Sequence, residues 1–216
     1  MYKSLNLLLA VFLLALASSC HNRQDTNKHV IEGHKHFIDA YNAVYDNGDI
    51  NAVIEIPAGS IQKWEVDKND GQLKWEIADG AYREIDYLGY PANYGMIPRT
   101  ILPEKQGGDG DPLDVLILGP SMKRGRVVRC RVIGILYLLD RGEQDDKLIA
   151  VSPASSFSNI YSMHDLNAEY PGISEIVRTW FLNYKGAGKM SSTGYGGKEE
   201  ALEILFAATK AYDAAK

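Results

Sequence analysis

Asp109-Gly110-Asp111-Pro112-Leu113-Asp114 gathers three carboxylates into six residues, with an apolar run, Val115 to Leu118, directly after them. Two like charges about 4 Å apart repel by about 4 kcal/mol at an effective dielectric of roughly 20. A hard divalent cation relieves that repulsion and prefers oxygen ligands. Pro112 lacks an N–H and fixes its own φ, which stiffens the loop that carries the acids. Taken alone, the stretch reads equally as a solvated acidic turn. A calcium-binding EF-hand loop fits poorly, because Asp114 stands at the sixth position, where glycine belongs, and Pro120 at the twelfth, where glutamate belongs.

Other charged groups suit the same chemistry. Asp140-Arg141-Gly142-Glu143-Gln144-Asp145-Asp146-Lys147 reads as a turn between two strands, and Asp145 and Lys147, two residues apart where a strand begins, share a face. A metal ligand beside a cation is what a site for an anion with bound metal requires, although a plain charged hairpin tip has the same composition. Lys63-Trp64-Glu65 repeats that geometry, with Trp64 packing on the opposite face. Glu55 is an acid inside an otherwise apolar strand, Val53-Ile54-Glu55-Ile56-Pro57, and its bland reading is an edge residue facing water. Tyr90-Pro91-Ala92-Asn93-Tyr94-Gly95 sets two phenols four residues apart around a turn, for an oxyanion or for ordinary aromatic packing. Tyr184-Lys185 adds a phenol and an ammonium, and Arg83 a bidentate fork suited to phosphate.

The elements that must position these groups are mostly strands. Ala52 to Ile56, Lys63 to Val66, Leu73 to Ile77, Val115 to Leu118, Val127 to Leu139 and Lys147 to Val151 are short runs rich in branched and aromatic residues, punctuated by Gly, Pro, Asn and Asp. Such runs at close spacing predict a mainly β fold with some α: a small twisted, OB-like barrel of about five to six strands rather than a layered α/β sheet. Beyond Pro153 the period lengthens. Ile173, Ile176, Val177, Trp180, Phe181 and Tyr184 predict one amphipathic helix, and Leu202, Leu205 and Phe206 a second from Lys198 to about Tyr212. Residues 30–50 are expected to hold a short helix, with Phe37, Tyr41, Val44 and Tyr45 at roughly helical spacing.

The chain's 216 residues, 45% hydrophobic and 24% charged, suit one globular domain, and the net charge of −5 without a basic block argues against nucleic-acid binding. The N-terminus stands apart from the fold. Lys3 precedes an apolar run from Leu5 to Ala17, too short to span a bilayer, which takes about 20 apolar residues. A charged start, a short apolar core and small residues before a cleavage point describe an export signal. Ala17-Ser18-Ser19-Cys20 resembles a bacterial lipobox, with Ala17 where leucine is commoner. The expected division is a signal peptide at 1–19, lipidated Cys20 with tether and adaptor at 20–50, and one folded domain at 51–216. The chain is then an exported lipoprotein on the periplasmic or cell-surface side, meeting the membrane only through its lipid, or cytoplasmic if the signal is not used. Cys130 is the other cysteine, so no disulfide scaffold is implied.

Together, V-I-E-I-P, K-W-E, Y-P-A-N-Y-G, D-G-D-P-L-D-V, D-x4-D-x-K-L and the late Tyr-Lys pair occur in the order found in the family I soluble inorganic pyrophosphatases, which the chain resembles from about Ile54 to Lys185. The resemblance implies a Mg²⁺-dependent hydrolase of inorganic pyrophosphate, with Mn²⁺ or Zn²⁺ as substitutes, and an assembly of identical subunits. It implies that Asp109, Asp114, Asp140 and Asp145 bind metal, with Glu55 and Glu65 shaping the outer shell, and that Asp111 is the general base. It also implies that Lys63, Arg83, Tyr94, Lys147, Tyr184 and Lys185 hold phosphate, with Tyr90 nearby. The segment Ile77 to Leu88 departs from the family in being longer and in carrying its own acids.

Two rivals remain: a broader phosphoanhydride hydrolase, and a non-catalytic surface lipoprotein that keeps the site only for binding. Other signals are weaker. Gly188-Lys189 is followed by Met190 rather than the Ser/Thr of a phosphate loop, and Lys189-Met190-Ser191-Ser192 lacks the partner motif of nucleotide-binding synthetases; His34 and His36 could ligate a metal but lie in the adaptor segment, and His164 reads as a loop residue with no partner in sequence.

Overall fold

The computed structural model describes residues 29–102 and 110–216. The expected export signal, Cys20, the expected tether as far as residue 28, and Asp109 lie outside the described residues. In chain order the strands are β1 (Val30–Ile31), β2 (Ile50–Ile56), β3 (Trp64–Val66), β4 (Leu73–Trp75), β5 (Ile77–Ala78), β6 (Ala81–Tyr82), β7 (Asn93–Met96), β8 (Asp114–Leu118), β9 (Val127–Asp140), β10 (Glu143–Gln144), β11 (Lys147–Val151) and β12 (Met190–Gly196). The helices are α1 (Met163–Glu169), α2 (Ile173–Asn183) and α3 (Lys198–Ala214).

Five strands close into a ring in the order β9–β11–β8–β7–β2 and back to β9. Closure depends on the length of β9. Its first residues pair with β2, Val127 opposite Val53 and Cys130 opposite Ile50, and the next ones pair with β11, Arg131 opposite Val151 and Leu136 opposite Lys147. β8 and β11 run parallel, and the other ring pairs are antiparallel. Register shifts in β2–β7 and β9–β11 keep the ring from being a clean barrel. Every residue of β2 and β11 is buried, which explains why these strands read as continuous rather than alternating apolar runs. The ring encloses Ile50, Ile54, Val115, Ile117, Val132, Ile135 and Ala150, and α3 covers that core with Ala201, Leu205 and Ala208. α2 covers a second core with Val177, Trp180 and Phe181.

The mainly β architecture and the two long C-terminal helices stand where the sequence puts them, and two details differ. Lys63 to Val66 and Leu73 to Ile77 do not join the ring; β3 and β4 form a separate three-stranded sheet with β1. Residues 30–50 hold no helix. Asn47 and Asp49 bond each other and the local backbone, and Asp39 N–H donates to His36 Nδ1, side-chain bonds that compete with helix formation. Phe37 and Ile38 are instead adjacent buried residues in a core shared with Trp64 and Tyr212. Tyr94 lies in β7, just past the bend at Pro91 and Ala92 that separates it from Tyr90.

β7 is held close to β2 by the absence of a side chain at Gly95. A Cβ there would stand 1.8 Å from the Val53 carbonyl oxygen, far inside contact distance. Gly95→Ala is therefore expected to cost about 3 kcal/mol, at the upper end of core overpacking, read as a lower urea midpoint with the slope unchanged.

Candidate active site

The parallel pairing of β8 with β11 places charge against charge. Val115 lies opposite Leu148, so the preceding residues, Asp114 and Lys147, meet at the strand ends. Lys147 Nζ donates to Asp114 Oδ2 at 2.5 Å and to Asp145 Oδ1 at 2.6 Å. Its side chain is 3% exposed. Burial alone would depress the Lys147 ammonium, but Asp114 and Asp145 outweigh burial and raise its pKa. Asp145 is pushed up by its own burial, against the pull of Lys147. The turn carrying Asp145 is fixed on both sides: its N–H donates to the Leu138 carbonyl, and Leu138 N–H donates to Asp146 Oδ1.

Asp140 ends β9, and its Oδ2 accepts from Lys185 Nζ at 2.6 Å, just past the end of α2. The Asp140 Oδ1 atom is buried without a hydrogen-bond partner among the described residues. Asp111 follows Gly110, whose φ of 79° is left-handed, and its side chain pairs with Lys68. The loop around it is anchored by Leu102 N–H to the Asp111 carbonyl and by Leu113 N–H to Thr100 Oγ1.

Lys63, just before β3, pairs with Glu65 inside it, while Trp64 between them is buried. Glu55 is not an edge residue facing water. It is buried, and its Oε1 accepts from Val66 N–H at 2.8 Å. Burial pushes its carboxyl up to about 8, against the pull of Lys63. The rings of Tyr90 and Tyr94 lie 5.4 Å apart, and the Lys63 ammonium sits 5.2 Å from the Tyr94 ring centre. Tyr184 stacks on Trp180 at 4.5 Å. The rings thus pack against one another, and they do so at the cavity wall.

One cavity of about 530 Å³ brings together Glu55, Glu65, Asp111, Asp114 and Asp145 with Lys63, Arg83, Lys147, Lys185, Tyr90, Tyr94 and Tyr184. Asp140 does not line it and reaches it through Lys185. No group of three or more potential ligands converges on one point among the described residues, which do not include Asp109. The donors are all carboxylate oxygens, the type that hard divalent cations select.

Two supporting residues are missed by sequence reasoning. Glu76 grips Arg83 with both carboxylate oxygens. Asn93 is fully buried; its Oδ1 accepts from Ala58 and Met122 N–H, and its Nδ2 donates to the Ile117 and Pro120 carbonyls. An amide flanked by Ala92 and Tyr94 inside a strand is the available signal for it. Glu76 has none, because its partner is seven residues away across a hairpin.

The sequence profile described as inorganic pyrophosphatase matches residues 52–213. The inorganic pyrophosphatase of Ralstonia nicotianae is 40% identical over 163 residues, which span 71% of this chain and 85% of the relative. Inorganic pyrophosphatase 2 of Pseudomonas syringae is 38% identical, over 83% of this chain and 95% of the relative. Among solved structures, the inorganic pyrophosphatase of Helicobacter pylori matches with a TM-score of 0.67 at 31% identity, over 81% of this chain and 99% of that one. That of Schistosoma japonicum matches with a TM-score of 0.74 at 28% identity, over 83% and 71%.

The buried Glu55 makes stability depend on pH. Between its ordinary value of 4.5 and about 8, the folded protein holds the proton and the unfolded chain does not. Stability contributed by the protonated group is therefore lost as pH rises through that window. Melting temperatures of the metal-free protein are expected to fall from pH 5 to 8, and Glu55→Gln, which cannot ionise, is expected to flatten that slope.

Proposed function

We propose that this chain, which belongs to the inorganic pyrophosphatase family, hydrolyses inorganic pyrophosphate to two phosphates with the help of divalent metal ions, Mg²⁺ foremost and Mn²⁺ or Zn²⁺ as substitutes. The observation that carries this reading is the meeting of Asp111, Asp114 and Asp145 with Lys63, Arg83, Lys147 and Lys185 around one cavity. A compact polyanion needs both sets: bases to hold its oxygens, and acids to hold the metals that neutralise it.

The acids fit such ions. Their donors are hard oxygens, and the buried Oδ1 of Asp140, without a hydrogen-bond partner among the described residues, is one that a cation would satisfy. Asp109, Asp114, Asp140 and Asp145 would hold the metal, with Glu55 and Glu65 behind them. Bound there, divalent ions lower the pKa of water and neutralise the phosphoryl oxygens. The chain's own residues do the positioning. Asp111 accepts the proton of the attacking water. Lys147, now shared between Asp114 and Asp145, turns to phosphate oxygens, and Lys185 does the same from Asp140. Lys63, Arg83, Tyr94 and Tyr184 complete the cradle. Little covalent work is left to the protein, so orientation and charge stabilisation dominate.

The reading extends to location and assembly: export, lipid attachment at Cys20, and association of identical subunits. The support for the anchor is the charged start, apolar run and lipobox-like residues alone. Among the described residues no helix is long and apolar enough to cross a membrane.

Phosphate release from pyrophosphate, tripolyphosphate and ATP by a chain beginning at His21 tests the activity. Rapid release from pyrophosphate, lost on chelation and reduced roughly 100- to 10,000-fold by Asp111→Asn, is expected for loss of a general base. No release by the folded protein with Mg²⁺, Mn²⁺ or Zn²⁺ would sink the reading in favour of a binding lipoprotein, and faster release from ATP would favour the broader hydrolase. Lipid labelling that depends on Cys20 tests the anchor.

A further inference from the structure

Glu76 and Arg83 face each other at the open end of the β5–β6 hairpin, one step beyond the Ile77–Tyr82 pair. Their backbones are joined by Arg83 N–H to the Glu76 carbonyl at 2.9 Å. The same two residues bracket Lys63: Glu76 N–H donates to the Lys63 carbonyl, and Lys63 N–H to the Arg83 carbonyl. The Arg83 carbonyl also accepts from Trp75 Nε1 at 2.8 Å. The hairpin base is thus fixed to the segment that carries a phosphate-holding lysine, and both of its side chains line the cavity.

The side chains meet in one particular way. Arg83 Nη1 donates to Glu76 Oε1 at 2.7 Å and to Oε2 at 2.9 Å. Nε and Nη2 make no hydrogen bond among the described residues. One nitrogen therefore satisfies Glu76 while the remaining donors stay available to an anion. The Glu76 carboxylate nevertheless stands in a cavity meant for a polyanion, where it opposes the attraction that Arg83 supplies.

We propose that Glu76 is a positioning residue that aims the Arg83 guanidinium and offsets its charge, setting how tightly the site grips phosphate and how readily it lets the product go. This rests on the pyrophosphatase reading of the cavity. Glu76→Gln keeps a carbonyl oxygen for Arg83 Nη1 and removes the charge. Arg83 then attracts phosphate without opposition.

The test compares the wild type, Glu76→Gln, Arg83→Gln and the double variant by calorimetric binding of inorganic phosphate with and without Mg²⁺, and by KM and kcat for pyrophosphate. Phosphate binding and KM are expected to tighten about fivefold in Glu76→Gln, the scale of a half-exposed ion pair, with kcat equal or lower. The gain is expected to vanish in the double variant. Unchanged or weaker phosphate binding in Glu76→Gln, or a gain that persists without Arg83, would overturn the proposal. If Glu76→Gln does not fold, Glu76→Ala removes the same charge and is judged by the same outcomes. A wild type that binds phosphate but leaves pyrophosphate intact would sink the activity, while the phosphate comparison would still decide the role of Glu76.

Discussion

A site for a small polyanion must be assembled from charges that are unfavourable when crowded and unpaired, and that constraint governs this molecule. Carboxylates close enough to share a cation repel one another, and buried ammonium groups lose their hydration. The structure resolves both difficulties by pairing them. Lys147 lies between Asp114 and Asp145, Lys185 holds Asp140, Glu65 holds Lys63, and Glu76 holds Arg83. Each pair sets an acid of the type that suits a hard cation against a base of the type that suits an anion.

The ring supplies the precision such pairing demands. Register between β8 and β11 alone brings Asp114 to Lys147, and a slip of one residue would put the two on opposite faces of the sheet. Asn93 ties four separate backbone groups from three segments to β7, next to Tyr94. Gly95 lets β7 approach β2. The apolar ring beneath, and the helices over it, have no chemistry of their own; they hold the rim still.

What could be read from sequence followed the range of the interactions involved. Asp145 with Lys147, and Lys63 with Glu65, are two residues apart where a strand begins, so strand periodicity alone puts each pair on one face. α2 and α3 announce themselves by their apolar period. The pairing of Asp140 with Lys185, 45 positions apart, is invisible until β9 and α2 are placed in space. Glu55 looked like a solvent-facing edge residue because strand alternation cannot show that a second sheet, through Val66, covers that position. Residues 30–50 carry apolar residues at helical spacing, yet Asp, Asn and Gly among them favour local turns, and Phe37 with Ile38 is claimed by the core instead.

The length of β9 has a consequence for how this protein comes apart. One strand hydrogen-bonds to β2, β10, β11 and β12, so the ring, its extensions and the Asp140 end of the site share a single backbone element. Subglobal opening requires a segment that can leave while its neighbours remain paired. Around β9 no such seam exists, because releasing it unpairs the strands on both sides at once. Slow hydrogen exchange along β9 would therefore report complete unfolding rather than a local fluctuation, and the ring would fold and fail as one cooperative unit.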